Sequence, residues 1–471
     1  MRKDQYRHDG FMYKIIELVA YMSAIVVAYL LSLRLDLFMG YDLRNYQAFY
    51  ATIPFVLIIS VILMVGLGLF RTVNKSRSEN IAIIFLCVSG IMVGYFAVAF
   101  FERGFAMPRT VIMLGAVLQF VFFIAIKSVF LRIMRHKKRV RRTTVICSEA
   151  QKHVLVTKIL SSHVQKERLT YCVDPLTCKD FMKYVDKAEK IYLSDEIPST
   201  IKDKIITHCI SLDKSLYMVP KTFEIAIFNS KLIQVSDVPV FKIESLFLSK
   251  EQRIVKRAFD LFIAIPVFVL VAPFMCLIAL AILMTEGRPV IFKQERVTEN
   301  NRTFMLYKFR SMHKDAEKSS GAIWATENDE RVTRLGRFLR RFWLDELPQL
   351  INVLKGDMSL VGPRPERPVF IKQFVKEIPD FHYRLSVKAG VTGLAQVLGK
   401  YATSPDLKIK FDILYIKNAN LFFDLKIILE TAKKIVVGTL KRGENKDYTY
   451  HEILKRFNYC ERCKGGVTIY K

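Results

Sequence analysis

An adjacent carboxylate pair, Asp345-Glu346, opens the stretch LDELPQLINVLKGDMSLVGPRPERP (344–368), which ends around the rigid Pro363-Arg364-Pro365. Side chains one residue apart on a helix point about 100° apart, so the two cannot share a proton face to face. They can divide labour, one attacking a phosphorus and the other holding a divalent ion. Arg364, between two prolines of fixed φ, presents a planar fork that suits a phosphate. Carboxylates, a metal ion and a clamped arginine point to phosphoryl transfer, whose catalysis is mostly positioning and charge neutralisation. An ordinary surface helix with acidic first-turn residues satisfies the pair alone equally well, so the surrounding chain must decide.

The element that positions the pair is a helix. Leu344, Leu347, Leu350, Ile351 and Leu354 recur at three- and four-residue steps. Pro348 is tolerated only near a helix start. The spacing therefore predicts a helix beginning near Leu344, with both carboxylates in a first turn whose free N–H groups and dipole favour anions. Lys355-Gly356 supplies a basic last turn and a C′ glycine. Lys308 and Arg310 in YKFRSM, and Arg340 just upstream of Asp345, are further phosphate-binding candidates. Arg331, Arg334, Arg337 and Arg341 read as the solvated face of a basic amphipathic helix over 331–342, suited to anionic membrane lipids.

The 471 residues are 52% hydrophobic yet 25% charged, with a formal net charge of +28 and mean hydropathy +0.22. Apolar spans and basic soluble parts must be segregated to give both. Four apolar runs within 1–134, Tyr13–Leu33, Phe49–Phe70, Ile81–Phe101 and Thr110–Leu131, are each close to the ~20 residues that cross a bilayer core. They predict a four-helix transmembrane bundle. Lysine and arginine gather at the N-terminus, after the second run and after the fourth, which places both ends of the bundle in the cytoplasm. Glu17 and Lys127, near run ends, are expected to snorkel to the interface. The runs assign the basic excess to lipid and phosphate, because no nucleic-acid motif accompanies it. The eight cysteines are scattered and are expected to be reduced thiols. No short signal peptide is visible.

Residues 143–247 read as a soluble α/β domain. Thr143–Cys147, Leu169–Val173, Lys190–Leu193 and Ser215–Val219 are short apolar strands alternating with helical stretches, which predicts a parallel sheet. The first strand runs into Cys147-Ser148-Glu149-Ala150, and no glycine lies between Gly115 and Gly287, so no backbone turn can approach a pyrophosphate closely. The domain is expected to be a packing or dimerising module, with a homodimer as the assembly. Leu261–Met284 is a 24-residue uncharged run, long enough to span, but basic on both flanks and interrupted by Pro266 and Pro273. A re-entrant helix, entering and leaving on one side, fits both facts; a plain fifth span is the alternative. Residues 407–440, with Tyr415, Leu421, Phe422, Phe423, Ile427 and Ile428, read as interfacial helices. Residues 441–471 read as a basic C-terminal tail whose Cys460-x-x-Cys463 lacks a second ligand pair.

KRAFD (256–260), YKFRSM (307–312), TRLGRFLRRFWLDELPQLINVLKGDMSLVGPRPERP (333–368), GVTGLAQV (390–397) and FDLKIIL (423–429) occur in this order. In them the segment 250–440 resembles the bacterial sugar transferases that load a sugar phosphate onto a membrane polyprenyl phosphate, and the four preceding spans resemble the family's long multi-pass form. The resemblance implies a mostly helical monotopic catalytic domain with a re-entrant membrane helix at 261–284, following a degenerate Rossmann-like middle domain in the sequence, in the bacterial inner membrane with catalysis on the cytoplasmic face. It also implies transfer of hexose 1-phosphate from a UDP-sugar to undecaprenyl phosphate with release of UMP, opening exopolysaccharide, capsule or O-antigen assembly. Asp345 would attack phosphorus to form an aspartyl phospho-sugar, and Glu346 would help hold Mg²⁺. Arg364, Arg340, Lys308 and Arg310 would take phosphate oxygens, and the 390–400 loop, with Gln396 and Lys400, would contact uridine. The chain departs from the family at Ala389, Leu394 and Leu398 and at Phe342-Trp343, changes that bear on nucleotide contacts and sugar identity. A membrane glycosyltransferase releasing UDP and a non-catalytic scaffold of a polysaccharide assembly complex remain as alternatives.

Overall fold

The apolar runs at the start of the chain become helices α1 (Arg2–Phe38), α2 (Arg44–Gly66), α3 (Arg77–Phe101) and α4 (Arg109–Lys137). Segments Met12–Leu35, Phe49–Gly66, Arg77–Phe101 and Arg109–Met134 within them are long and apolar enough to cross a membrane. The computed structural model describes residues 2–38, 44–70, 75–101, 108–137, 141–161, 167–228, 230–243, 245–314, 329–399, 403–440 and 449–470. Two compact units divide the chain: Met1–Pro220 with Gly443–Lys471, and Lys221–Arg442. In the first unit, Tyr29 of α1 meets Tyr95 of α3 edge-on at 4.8 Å, and Ser32 donates a hydrogen bond to the Val111 carbonyl at 2.8 Å. Glu17 and Lys127 do not snorkel. They pair at 2.8 Å, each 2% exposed, and Lys127 also donates to the Leu69 carbonyl at 2.6 Å. Among apolar helices, a charge with a partner and a carbonyl is far less costly than a lone one.

The α/β domain contains β1 (Arg141–Ile146), α5 (Glu149–Ser161), β2 (Glu167–Val173), α6 (Met182–Lys187), β3 (Lys190–Leu193), α7 (Ser199–Ser211) and β4 (Ser215–Met218). β1 runs parallel to β2 and β3, and β3 to β4. Successive strand residues face opposite sides: Val145 packs with Val156 and Leu160 of α5, and Ile146 with Ile205 and Cys209 of α7. At the carboxyl ends of β1 and β3, where doubly wound sheets take ligands, Ser148 donates to Glu196 at 2.8 Å and Gln151 to Asp195 at 3.4 Å.

The second unit begins with α8 (Thr222–Ile227) and the antiparallel hairpin β5 (Lys231–Val235) and β6 (Val238–Lys242). Helix α9 (Lys250–Glu286) continues through Pro266 and Pro273. It is also long and apolar enough to cross a membrane. One face packs Ala264, Met275, Ile278 and Ile282 into the unit's core, while Phe262, Leu270 and Met284 are exposed. An antiparallel pair follows, β7 (Ile291–Val297) and β8 (Thr303–Phe309). Next come α10 (Arg334–Arg341), α11 (Gln349–Lys355), β9 (Ser359–Val361), α12 (Pro368–Glu377), β10 (Gly390–Thr392), α13 (Leu394–Leu398), α14 (Pro405–Lys417) and α15 (Leu421–Leu440). Residues 407–440 are less interfacial than their sequence suggests. Tyr415 and Ile427 join Leu350, Val353 and Leu360 in the core, whereas Leu421 and Phe422 stay exposed.

The final residues return to the first unit as α16 (Tyr450–Arg456), β11 (Glu461–Lys464) and β12 (Val467–Tyr470). β12 lies antiparallel to β2, giving a six-stranded sheet of order β11-β12-β2-β1-β3-β4. What reads as a tail is thus part of the fold. Gly465 and Gly466 take φ +56° and +75°, the conformation of a two-residue hairpin turn, and the VTIY run that follows is a strong strand former.

Candidate active site

The dyad sits where two short helices meet. Thr333 caps α10 by accepting from the Gly336 N–H at 2.8 Å. A Cβ at Gly336 would lie 2.0 Å from the Ser311 carbonyl oxygen, so only glycine lets α10 approach the end of β8 this closely. After α10, Trp343 turns the chain in the left-handed region at φ 59°, where a bulky residue carries on the order of 1–3 kcal/mol of strain. Leu344–Glu346 then form a 3₁₀ turn, and α11 proper starts at Gln349 with Pro348 at its N-cap. The carboxylates therefore precede the α-helix rather than occupying its first turn. The Leu347 N–H bonds back to Leu344 at 3.3 Å and the Leu350 N–H to Leu347 at 3.1 Å, both three-residue steps, while Pro348 has no N–H to give.

Cations from three elements surround the pair. Lys308 of β8 and Arg364 of the loop after β9 both reach Glu346 Oε1, each at 2.8 Å. Burial raises the Glu346 carboxyl, but these two cations outweigh it and hold the group well below the usual carboxylate range. The Lys308 ammonium moves the other way, lowered by burial although Glu346 opposes the shift. Asp345 is 7% exposed, and burial pushes its carboxyl up, with Lys308 the strongest opposing charge and Arg340 and Arg364 weaker ones. The helix start does not by itself keep Asp345 ionised. Arg340, anchored by Ser311 Oγ at 2.9 Å, thus belongs to the field of the dyad. Its helix neighbours Arg334, Arg337 and Arg341 are exposed, and Arg331 is held by Asp329.

Residues outside the candidate site set hold this arrangement. Asn352 of α11, fully buried, donates to the Met305 carbonyl at 2.8 Å and accepts from the Tyr307 N–H at 3.1 Å, joining the helix that follows the dyad to the strand of Lys308. Arg257 donates to the Val353 and Leu354 carbonyls at 2.6 and 2.8 Å, satisfying the open end of α11 beside Gly356 at φ +89°. Asp260 accepts from the Leu360 N–H at 3.1 Å, and Lys256 meets Asp424 at 2.5 Å. KRAFD and FDLK are therefore structural partners. The Pro363-Arg364-Pro365 loop is gripped by its carbonyls, Arg384 donating to Arg364 at 2.8 Å and Arg296 to Pro365 at 3.1 Å. Beside it opens a small recess whose lining includes Pro363, Arg364, Arg384 and Ala389.

Other candidates lie elsewhere. Arg310 is 6% exposed and donates to the Glu286 and Gly287 carbonyls, closing the end of α9 rather than facing the dyad. Strand alternation would put Lys308 and Arg310 on one face, but β8 ends at Phe309. Gln396 donates to the Val391 carbonyl at 3.1 Å; Lys400 lies outside the described residues. No group of three or more His, Cys, Asp or Glu gathers as an ion cage among the described residues. The donors present, two adjacent carboxylates ringed by phosphate-binding cations, fit an ion such as Mg²⁺ that keeps waters and takes substrate phosphates as ligands.

A family model described as bacterial sugar transferase matches residues 251–438, the stretch that carries every residue of this site. The chain is 44% identical over 197 residues to a UDP-N-acetylgalactosamine-undecaprenyl-phosphate N-acetylgalactosaminephosphotransferase of Aeromonas hydrophila, covering 41% of this chain and 46% of that protein. It is 37% identical over 254 residues to a UDP-glucose:undecaprenyl-phosphate glucose-1-phosphate transferase of Escherichia coli (53% and 54%). Against the exopolysaccharide production protein PSS of Rhizobium leguminosarum it is 38% identical over 200 residues, covering 41% of this chain and 98% of that one. The chain spans about half the length of the first two relatives. On the site and on these matches together, the chain belongs to the bacterial sugar transferase family.

Proposed function

We propose that the protein transfers a hexose 1-phosphate from a UDP-sugar to undecaprenyl phosphate, releasing UMP, at the start of exopolysaccharide, capsule or O-antigen assembly. The observation that carries this reading is the convergence of Lys308, Arg340 and Arg364 on two neighbouring carboxylates of opposite electrostatic condition. In the first step an Asp345 oxygen attacks the sugar-bearing phosphorus, and the bond to UMP breaks. In the second, an oxygen of the lipid phosphate attacks the aspartyl phosphorus and Asp345 leaves. Arg364, Arg340 and Lys308 neutralise phosphate oxygens as charge develops. Glu346 stays anionic and helps hold Mg²⁺, which when bound would add positive charge at the phosphates.

The same reading places the enzyme in the bacterial inner membrane, with the site on the cytoplasmic face and α9 re-entrant. In support, Arg253, ahead of the apolar run, lies 2.7 Å from Glu299, beyond it, a contact suited to two flanks on one side of a bilayer. The exposed arginines of α10 suit anionic lipid headgroups. The hairpin β5–β6 exposes Leu232, Val235, Val238 and Phe241, apolar surface suited to a second copy in a homodimer.

The test is to incubate purified protein with sugar-labelled UDP-N-acetylgalactosamine, UDP-glucose or UDP-galactose, without lipid, then quench and map the label. A phospho-sugar on Asp345 and release of UMP are expected, both lost in Asp345→Asn. Release of UDP would indicate a glycosyltransferase, and no nucleotide release with any donor a scaffold.

A further inference from the structure

We infer that Arg384 is a positioning residue for the phosphate clamp, fixing Arg364 through its backbone carbonyl while itself anchored to Asp412. The inference rests on the reading of Arg364 as a group that binds the donor's phosphates. Arg384 comes from the 3₁₀ segment Pro379–Ser386 and Asp412 from α14. They meet at 3.0 Å, with both side chains 2% exposed. A buried ion pair contributes little to stability compared with apolar residues of the same volume. Its geometry here does something an apolar pair could not. The same Nη2 that lies nearest Asp412 donates to the Arg364 carbonyl at 2.8 Å, and the guanidinium carbon lies 4.8 Å from the centre of the Phe381 ring.

The neighbouring carbonyl, of Pro365, is held by Arg296 at 3.1 Å, and Arg296 also approaches Glu366 at 3.6 Å. With Pro363 and Pro365 fixing φ on either side and both carbonyls tied, the backbone offers the Arg364 side chain one approach, the one that ends 2.8 Å from Glu346 Oε1. Arg384 and Arg364 also share the wall of the recess beside the loop. The chain thus uses one buried arginine to aim a second, solvent-reaching one that is 41% exposed. An exposed arginine without such support would spread over many rotamers.

Lysine at 384 keeps the charge opposite Asp412 but lacks the planar group that lies over Phe381 while its Nη2 reaches the Arg364 carbonyl. The experiment uses the full chain and whichever UDP-sugar releases UMP, and measures kcat/KM and Tm for Arg384→Lys in two backgrounds. In the wild-type background kcat/KM is expected to fall about tenfold or more with Tm nearly unchanged; in an Arg364→Ala background the same substitution should change kcat/KM by less than about twofold. Equal losses in both backgrounds, or no loss in the first, overturn the inference. If Arg364→Ala alone leaves kcat/KM unchanged, the clamp reading itself fails and takes this inference with it, a result distinct from additive losses. Should Arg384→Lys not fold, the paired Arg384→Gln/Asp412→Asn change, which removes both charges together, carries the same comparison and the same criteria.

Discussion

Asp345 and Glu346 share a peptide bond but respond oppositely to their surroundings. Burial raises the Asp345 carboxyl, whereas Glu346, also buried, is held low by Arg364 and Lys308 at 2.8 Å. Glu346 is therefore a constant negative charge, and Asp345 is the member whose ionisation can limit rate. Protonation disarms a carboxylate nucleophile, so activity should fall as pH drops through an apparent constant above the ~3.9 of an ordinary aspartate. Lys308 opposes the rise at Asp345. Lys308→Met should thus move the acid limb of the kcat/KM profile to higher pH, besides lowering its plateau. A limb that stays in place or moves down would contradict the assignment.

Two arginines that look alike in sequence should behave differently. Arg364→Ala should reduce kcat/KM by on the order of 10² to 10³ with little change in Tm. Arg310 is tied to the carbonyls that end α9, so Arg310→Gln should destabilise the fold by about 1–3 kcal/mol and leave the donor KM near its wild-type value. Thermal melts in detergent and steady-state kinetics on the same preparations make the comparison.

Asp260 acts through one oxygen, which accepts from the Leu360 N–H at 3.1 Å. Asp260→Asn keeps an acceptor there and should be mild. Asp260→Leu leaves a buried donor unpaired, a loss of about 1–3 kcal/mol, and should lower Tm well below that of the asparagine variant. Equal melting of the two variants would remove Asp260 from its supporting role.

For the course of α9, single cysteines at Lys250 and Lys293 should both react with an impermeant thiol reagent from the cytoplasmic side of inverted vesicles. Labelling from opposite sides would make α9 a fifth span and would separate Asp345 from cytoplasmic nucleotide sugars.

The local features of this protein were legible in its sequence, because strand alternation, helix spacing and turn chemistry act between near neighbours. The strands at 190–193 and 215–218 form where the apolar runs place them, and Gly356 takes the positive φ its position requires. What escaped was long-range pairing. Glu17 and Lys127 look like two end-of-span charges until the helices bring them together. Arg384 and Asp412 look like surface residues until both are found buried behind the clamp. The 3₁₀ turn at the dyad was hidden for a different reason: Pro348 is as compatible with an N-cap as with a first turn. The Gly465-Gly466 turn ahead of VTIY is by contrast a local signal for the hairpin β11–β12.

The strand that follows that turn is made long after its partner. β2 leaves the ribosome with Val173, but its antiparallel neighbour β12 begins only at Val467. Between the two, the whole of Lys221–Arg442 is made. Throughout that interval β2 presents an open edge, and an open edge invites pairing with any extended chain nearby. Completion of the middle domain is thus a late event that follows emergence of the catalytic unit, and a chain stalled before Val467 would carry both dyad residues and an unfinished sheet.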